Sequence, residues 1–355
     1  MADIKEWLLS AVEKGASDIF IGVGRRVSFK IDGVLTPQSE SGISPGEAEE
    51  AIRTLYEMAN RSMDTYNESG DDDFPVPIPG VARFRVNIYR QRATMAAVIR
   101  VVHFSLPDHE ALKIPDGVMG IAEKHHGLVL VTGSTGSGKS TTLACIIDKI
   151  NKTRSCHIIT LEDPIEFLHR DDKSIISQRD ISTDTKSYLS ALRACLRQAP
   201  DIILLGEMRD HETIGTAVTA AETGQLVIST LHTTGAVNTI DRIIDVFPPE
   251  QQQQIRIQLS MTLQTVVTQK LVPNKTDGLV PAFEILHVNS AVRNLIREAK
   301  THQIDNIIQT SSREGMISMD TYIYKLYQDG EVTAEAAMAH AMEPDQMTRR
   351  INAKQ

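Results

Sequence analysis

Residues 133–140 read GSTGSGKS and match the phosphate-binding pattern GxxxxGK(S/T) at every required position. The apolar run Leu128–Thr132 precedes this segment, and a helical pattern over Lys139–Ile150 follows it. A strand, a glycine-rich loop and a helix in that order are the context in which the pattern binds phosphate; a plain glycine-rich turn is the alternative. The predicted nucleotide-binding residues are Gly133, Ser134, Thr135, Gly136, Ser137, Gly138, Lys139, Ser140 and Thr141.

Each part of this loop has a chemical role toward ATP and Mg²⁺, which we predict as its ligands. The glycines let the backbone turn so that its N–H groups face the phosphates, and the helix N-terminus adds positive potential. Lys139 would reach the β- and γ-phosphates, and the Ser140 hydroxyl would bind Mg²⁺. The loop by itself predicts nucleotide binding, whereas hydrolysis requires further groups.

Two acidic positions lie at the ends of predicted strands, where open α/β sheets place their ligands. Glu162 and Asp163 end the run Ile158–Leu161, and Glu207 follows the run Ile202–Leu205. A P-loop hydrolase needs acidic groups to support Mg²⁺ and to orient the attacking water. Because an unpaired buried charge is costly, a carboxylate at the end of a buried strand is seldom there for packing. A solvated loop carboxylate is the alternative interpretation at both positions.

A histidine and several arginines are further candidates. His232 follows the apolar run Leu226–Ser229, from which it could contact the γ-phosphate, although a lone histidine is more often structural. Arginine fingers accelerate phosphoryl transfer by on the order of 10³–10⁵. Candidates for that role are Arg83, Arg85, Arg90 and Arg92 near the end of the N-terminal region, and Arg193 and Arg197 on one helix face. Solvated surface arginines are the alternative interpretation.

The elements that must position these residues differ between the two parts of the chain. From residue 116 onward, short apolar runs alternate with helical stretches, which predicts βαβ units and a largely parallel sheet. The region from Asp241 on is predicted to be mostly helical, with a strand pair around Pro281–Leu286. We assign residues 116–355 to this α/β ATPase domain with its C-terminal helical region.

Residues 1–103 are predicted to form a smaller α+β domain. Helices are expected over 4–14 and 44–60, and strands over 18–23, 27–31 and 81–89. The acidic cluster Asp71–Asp73, together with Pro75, Pro77 and Pro79, predicts a loop. Residues 104–115 are the predicted linker between the two domains.

The bulk composition restricts the class of protein. The chain has 355 residues, a formal net charge of −9 and three cysteines that form no CxxC pair. This charge gives no general attraction to phosphate backbones, so a nucleic-acid translocase is disfavoured and no nucleic-acid partner is predicted. The start of the chain is not a signal peptide, and no apolar run approaches the ~20 residues of a membrane span. A cytoplasmic protein without direct membrane insertion is therefore expected.

Four segments together resemble the Walker A, Asp-box, Walker B and His-box motifs of the secretion and pilus ATPases. They are GSTGSGKSTT, ITLEDPIEF (159–167), LRQAPDIILLGEMRD (196–210) and TGQLVISTLHT (223–233). Within that superfamily the chain is most similar to the PilT family of type IV pilus retraction (twitching motility) ATPases. The resemblance runs from SDIFI (17–21) through RFRVN (83–87) to the C-terminal region.

This resemblance implies roles for the candidate residues. Glu162 is expected to polarise the attacking water and Glu207 to support Mg²⁺, although the two roles could be exchanged. His232 is expected to read the γ-phosphate, and Arg83 and Arg85 are expected to act as arginine fingers. The implied fold is a PAS-like N-terminal domain joined to a RecA-like ATPase domain, with ATP bound between them.

The resemblance also implies an assembly. The expected state is a homohexamer at the inner face of the cell membrane, where it turns an inner-membrane pilus platform protein; a second retraction ATPase is a further partner that the resemblance implies. Residues 291–300, AVRNLIREAK, are similar to a C-terminal motif of retraction ATPases, and an amphipathic helix is the alternative. Assembly and type II secretion ATPases usually carry a long extra N-terminal region and a four-cysteine zinc module, and since neither is seen in this sequence a retraction ATPase is expected over an assembly one.

Three alternatives remain open at this point. One is an accessory PilU-type retraction ATPase or a type II secretion or pilus assembly ATPase. A second is a regulatory ring that binds nucleotide without hydrolysing it, which the set of Glu162, Glu207 and His232 disfavours. The third is the nucleic-acid translocase that the net charge disfavours. Gln225, where the His box commonly has a second histidine, is a departure from the family pattern.

Overall fold

A computed structural model of the chain describes residues 4–31, 33–102, 106–181, 183–276 and 278–353. These residues divide into two compact units, which are described separately. The first unit extends to Leu106 and includes Glu166–Leu168, and the second contains Pro107–Ile165 and the chain from His169 onward. Phe104 and Ser105 of the predicted linker lie outside the described residues.

In the described part of the first unit, six strands form one sheet in which every pair of neighbours is antiparallel. The order across the sheet is β3-β2-β1-β6-β5-β4. The strands are β1 (Asp18–Gly22), β2 (Ser28–Ile31), β3 (Val34–Pro37), β4 (Asp71–Ile78), β5 (Ala82–Gln91) and β6 (Thr94–Val102). The helices are α1 (Ile4–Glu13), α2 (Pro45–Met58) and α3 (Asp64–Ser69).

Sequence patterns explain most of this unit. Along β5, buried Phe84, Val86 and Ile88 alternate with more exposed residues, as expected where one face of a sheet covers a core. Helix α2 begins at a capping box in which the Ser44 hydroxyl accepts from the Glu47 N–H and the Glu47 carboxylate accepts from the Ser44 N–H. The predicted smaller α+β unit is confirmed.

The prediction of a loop over Asp71–Pro79 is wrong for most of its length, because β4 occupies Asp71–Ile78. Pro75 and Pro77 are tolerated there since β4 is an edge strand, on which a residue without an N–H need not donate to a partner. Phe74 and Val76 alternate with them and are buried, so the prolines fall on the other face of the strand.

The described part of the second unit contains a seven-stranded sheet in the order β13-β12-β7-β11-β10-β8-β9. All neighbours are parallel except β12 and β13. The strands are β7 (Gly127–Thr132), β8 (His157–Glu162), β9 (Ile175–Asp180), β10 (Ile202–Leu205), β11 (Leu226–Leu231), β12 (Leu263–Pro273) and β13 (Leu279–His287). Every residue of β7, β10 and β11 is buried, as in parallel sheets covered on both faces.

Helices pack around this sheet and form the C-terminal part of the unit. They are α4 (Asp116–Met119), α5 (Lys139–Thr153), α6 (Tyr188–Cys195), α7 (His211–Glu222), α8 (Ala236–Asp245), α9 (Pro249–Thr262), α10 (Ser290–Arg297), α11 (Ile304–Thr310), α12 (Met319–Gln328), α13 (Ala334–His340) and α14 (Pro344–Asn352). The predicted α/β fold class is confirmed. Among the described helices, none combines the length and apolar character that crossing a membrane would take.

The strand pair in the C-terminal region is longer than the sequence indicated. The pair was expected around Pro281–Leu286, whereas β12 already begins at Leu263, directly after α9 ends at Thr262. Polar residues such as Gln264, Gln269 and Lys270 interrupt the apolar pattern of β12, so the local sequence does not indicate the full length of this strand. It forms because β12 pairs in parallel with β7 and extends the sheet beside the glycine-rich loop.

Candidate active site

The candidate residues of the second unit follow four adjacent parallel strands at one edge of its sheet. The glycine-rich loop follows β7, His232 follows β11, Glu207 follows β10, and Glu162 ends β8. These strands are neighbours in the order β7-β11-β10-β8. Neighbouring strands are about 5 Å apart, so the four ends cover about 15 Å of one sheet edge. The fold therefore brings together the loop, both carboxylates and the histidine that the sequence singled out.

The backbone of the loop has the turns that a phosphate cradle needs. Gly133, Gly136 and Gly138 have φ angles of 138°, 78° and 88°, in a region that residues with a side chain rarely adopt. A Cβ on Gly133 would overlap the carbonyl oxygen of Gln269, and a Cβ on Gly138 would lie 2.8 Å from Nε2 of Gln269. Glycine is thus required at both positions by backbone angle and by space.

Polar groups in the loop are arranged to receive an anion. The Lys139 ammonium donates to the carbonyl oxygens of Gly133 and Ser134, at 2.8 Å from each, and so lies over the loop. Helix α5 begins there without a side-chain cap on its first N–H groups. Among the described atoms, the buried Ser137 hydroxyl oxygen has no hydrogen-bond partner. Uncapped N–H groups at a helix N-terminus and a lysine beside them form a phosphate site.

Gln269 on β12 packs against the glycine-rich loop, a contact that the sequence did not indicate. Its side-chain oxygen accepts a 2.7 Å hydrogen bond from the Thr142 hydroxyl in the first turn of α5. Its backbone and amide nitrogen are the atoms that approach Gly133 and Gly138. Gln269 is buried, at 4% exposure, so this contact is part of the packed core.

The Glu207 carboxylate is held by two neighbours. Its Oε1 lies 2.6 Å from Nη2 of Arg209, and its Oε2 lies 3.5 Å from Nε2 of His232. The Glu207 side chain is 15% exposed, whereas those of Arg209 and His232 are 77% and 52% exposed. The structure therefore places the His232 imidazole in contact with the Glu207 carboxylate. Arg209 was not among the predicted site residues, although its position two residues after Glu207 in the sequence indicated that it could contact that carboxylate.

The Glu162 carboxylate accepts hydrogen bonds through one oxygen. The Thr160 hydroxyl donates to Oε1 at 2.6 Å, and the Gln178 amide nitrogen donates to the same oxygen at 3.3 Å. Neither donor was among the predicted site residues. Thr160 lies two positions before Glu162 on the same strand, which the sequence does show, whereas Gln178 comes from β9.

Tyr188 adds a phenol to this edge of the sheet. A Cβ on Gly206 would lie 2.8 Å from the Tyr188 hydroxyl oxygen and 3.4 Å from Cα of Glu162, so Gly206 makes room for the phenol. Burial raises the pKa of Tyr188, and the Glu207, Asp163 and Glu162 carboxylates raise it further. The phenol therefore keeps its proton at neutral pH and is a hydrogen-bond donor among carboxylates.

The two predicted arginine fingers lie on β5 of the first unit. The Arg85 guanidinium contacts both carboxylate oxygens of Asp73, with Nη2 2.6 Å from Oδ2. Both side chains of that pair are about two-fifths exposed, at 38% and 39%. Arg83 lies two residues earlier on the same strand. A role toward the nucleotide stays a prediction for both arginines.

The donor set of the second unit fits ATP with Mg²⁺. Mg²⁺ prefers a few protein oxygens together with phosphates and water. The Ser140 hydroxyl, at the start of α5, and the Glu207 carboxylate, after β10 and thus two strands from β7, are oxygens of that kind. Ser140 and Glu207 are therefore the residues that would hold the ion, and the glycine-rich loop would hold the phosphates.

Comparison with known proteins agrees with this geometry. The family model described as type II/IV secretion system protein matches residues 1–339. The chain is 42% identical over 344 residues to the type IV pilus retractation ATPase PilT of Pseudomonas aeruginosa, covering 97% of this chain and 99% of that protein. It is 37% identical over 340 residues to the type IV pilus ATPase PilU of the same organism, covering 96% and 88%.

A solved structure is similar over nearly the whole chain. The crystal structure of the pilus retraction motor PilT with bound ADP matches with a TM-score of 0.90 and 43% sequence identity. The match covers 98% of this chain and 100% of that one. The bound ADP shows that this related structure holds a nucleotide.

Proposed function

Because this chain belongs to the type II/IV secretion system protein family, we propose that it is an ATP-hydrolysing motor that powers type IV pilus retraction. The observation that carries the proposal is the alignment of the loop, His232, Glu207 and Glu162 on four adjacent strand ends. A protein that only binds nucleotide needs the loop, whereas hydrolysis also needs acidic groups for water and metal. The similarity to PilT supports pilus retraction as the process that this motor drives.

In this proposal each residue acts on one part of the substrate. Lys139 and the loop N–H groups hold the β- and γ-phosphates, and Ser140 and Glu207 hold Mg²⁺. Bound Mg²⁺ would neutralise charge that develops on the phosphates. Glu162 accepts the proton of the attacking water, and His232, through its contact with Glu207, responds to the state of the γ-phosphate. Arg83 and Arg85 remain the proposed arginine fingers.

A cavity beside the loop is a suitable site for the adenine base. It has a volume of about 350 Å³ and lies entirely within the second unit. Its walls include Gly138 and Thr141 of the loop and helix start, and apolar Leu112, Leu271 and Pro281. Ligand pockets of this kind are mostly apolar with a few polar groups that fix orientation. We infer that the base binds here while the phosphates extend over the loop.

Filling this cavity should weaken ATP binding without unfolding the protein. Leu271 is half-buried on β12, so Leu271→Trp places a large ring in the space that the base would occupy. We expect the Kd for ATP to rise about tenfold or more, a loss of about 1.4 kcal/mol. Titration with a fluorescent ATP analogue measures this. Met342→Trp, at a residue 45% exposed and outside the cavity, is the matched control. Unchanged affinity in Leu271→Trp would place the base elsewhere.

The proposed assembly follows from the family. We propose a homohexamer that acts from the cytoplasm at the inner face of the cell membrane, with an inner-membrane pilus platform protein as its partner. A second retraction ATPase is a possible further partner, since pilus ATPases of the PilT and PilU types occur in one organism. Hydrolysis would loosen contacts to the triphosphate, so that domain rotations around the ring transmit work, as in hinge motions driven by ligands.

Imaging of labelled pili in the native host tests the proposal. Deletion of the gene should leave pili that extend but no longer retract. The wild-type gene should restore retraction, and a Glu162→Gln gene should not. Retraction that continues in the deletion strain with reduced frequency would contradict a primary motor and favour the accessory PilU-type role. Loss of extension in the deletion strain would favour an assembly ATPase instead.

A further inference from the structure

Two side chains that were not among the predicted site residues, those of Thr160 and Gln178, donate to one oxygen of Glu162. The Thr160 hydroxyl lies 2.6 Å and the Gln178 amide nitrogen 3.3 Å from Oε1. Thr160 is fully buried, and Gln178 and Glu162 are half-buried. Hydrogen bonds to an ionised group are among the stronger ones, particularly where solvent is partly excluded.

The sheet itself dictates this convergence. Thr160 and Glu162 are two residues apart on β8, so their side chains lie on the same face. In the parallel register between β8 and β9, Gln178 pairs with Thr160, which places its side chain beside theirs. The three side chains are therefore held together by strand pairing rather than by a loop.

The orientation of the Gln178 amide is fixed from its other end. The backbone N–H of His169 donates to Gln178 Oε1 at 2.8 Å. With its oxygen accepting there, the amide presents its NH₂ group toward Glu162. Burial lowers the pKa of the His169 imidazole to about 4, so that ring stays neutral at physiological pH. The arrangement thus directs two donors, the Thr160 hydroxyl and the Gln178 amide, at the Glu162 oxygen.

We propose that Thr160 and Gln178 are positioning residues that hold the Glu162 carboxylate in one orientation and in its ionised form. The proposal rests on the proposed function, in which Glu162 accepts a proton from the attacking water. A general base must be ionised before it can act and must keep its geometry during proton transfer. Two donors on one oxygen meet both requirements, because they stabilise the charged form and limit rotation of the carboxylate.

Other charged and titratable groups of the second unit lie near this carboxylate and act on its ionisation. Asp180 pairs with Glu162 in the register of β8 and β9. Asp163 is the next residue, and the Tyr188 phenol interacts with Glu162, Asp163, Glu207 and Arg209. Like-charge repulsion from the neighbouring carboxylates disfavours the ionised form of Glu162. The Thr160 and Gln178 hydrogen bonds keep Glu162 ionised against those carboxylates.

The pH dependence of turnover tests this role. In Thr160→Val the methyl group keeps the shape and removes the donor, so we expect the acidic limb of the kcat profile to move up by about one pH unit. We also expect kcat at the plateau to fall about tenfold while KM stays within twofold. Thr160→Ser retains the hydroxyl and should restore both. Gln178→Leu removes the second donor and should move the limb in the same direction.

A matched control and Glu162 itself separate the possible outcomes. Thr265→Val makes the same change at a buried threonine of β12 whose hydroxyl contacts His287 instead, and its profile should match wild type. If Glu162→Gln loses turnover while Thr160→Val and Gln178→Leu keep the wild-type profile, the positioning role is overturned and the proposed function stands. If Glu162→Gln keeps turnover, Glu162 is not the base, which overturns the positioning role and the assignment of Glu162 within the proposed function.

Discussion

Lys139→Ala should abolish ATP binding at concentrations where the wild-type protein is saturated. The Lys139 ammonium is the cation that the structure places over the loop, where it contacts the carbonyl oxygens of Gly133 and Ser134. A bound triphosphate would draw charge-assisted hydrogen bonds from it, each with a net contribution of about 1.5–3 kcal/mol. Loss of two such bonds raises the Kd about a hundredfold or more.

Nucleotide titration and steady-state ATPase assays measure this effect. Lys152→Ala is the matched control, because Lys152 lies on the same helix but is 62% exposed and pairs with Asp148. The control should bind and hydrolyse ATP as wild type does. Wild-type affinity in Lys139→Ala, with folding confirmed by circular dichroism, would contradict the assignment of residues 133–140 as the phosphate site.

In contrast to Lys139→Ala, the Glu162→Gln variant should retain ATP binding and lose ATP turnover. Glutamine keeps the size of the side chain and can still contact Thr160, but it does not accept a proton from water at neutral pH. General-base catalysis contributes about 10²–10⁴ in rate. We therefore expect kcat to fall by about that factor while the Kd for ATP stays within a few-fold of wild type.

Glu207→Gln, assayed in parallel, distinguishes the two carboxylates. If Glu207 supports Mg²⁺, its substitution should raise the Mg²⁺ concentration needed for half-maximal turnover as well as lower the rate. Glu212→Gln, at an exposed residue of α7 that pairs with Arg193, is the control and should leave turnover unchanged. Binding without turnover in Glu207→Gln, together with an active Glu162→Gln, would show that the two roles are exchanged.

Local sequence predicts a functional element best where its residues are consecutive in the chain. Residues 133–140 specify the phosphate loop because its glycines, lysine and helix start are adjacent in sequence. The runs that became β7, β10 and β11 were recognisable because strands covered on both faces are apolar throughout. Glu162, Glu207 and His232 were found because each ends or follows such a run.

Prediction was weaker where a strand has no such signature. β4 contains three aspartates and two prolines, and only its place at the sheet edge makes that composition compatible with a strand. β12 mixes polar and apolar residues, and its identity follows from pairing with β7 and β13. In both cases pairing with a neighbouring strand, which the strand's own sequence does not reveal, is part of what stabilises the strand.

The sequence by itself therefore determined the phosphate loop, the fold class and the two acidic candidates. Only the tertiary structure decided their partners from other strands: Gln269 beside the loop, His232 on Glu207, and Gln178 on Glu162. The physical reason is that most of these contacts join segments far apart in the chain. Their partners are chosen by strand order and register, which depend on the packing of the whole sheet and leave no mark on the local sequence.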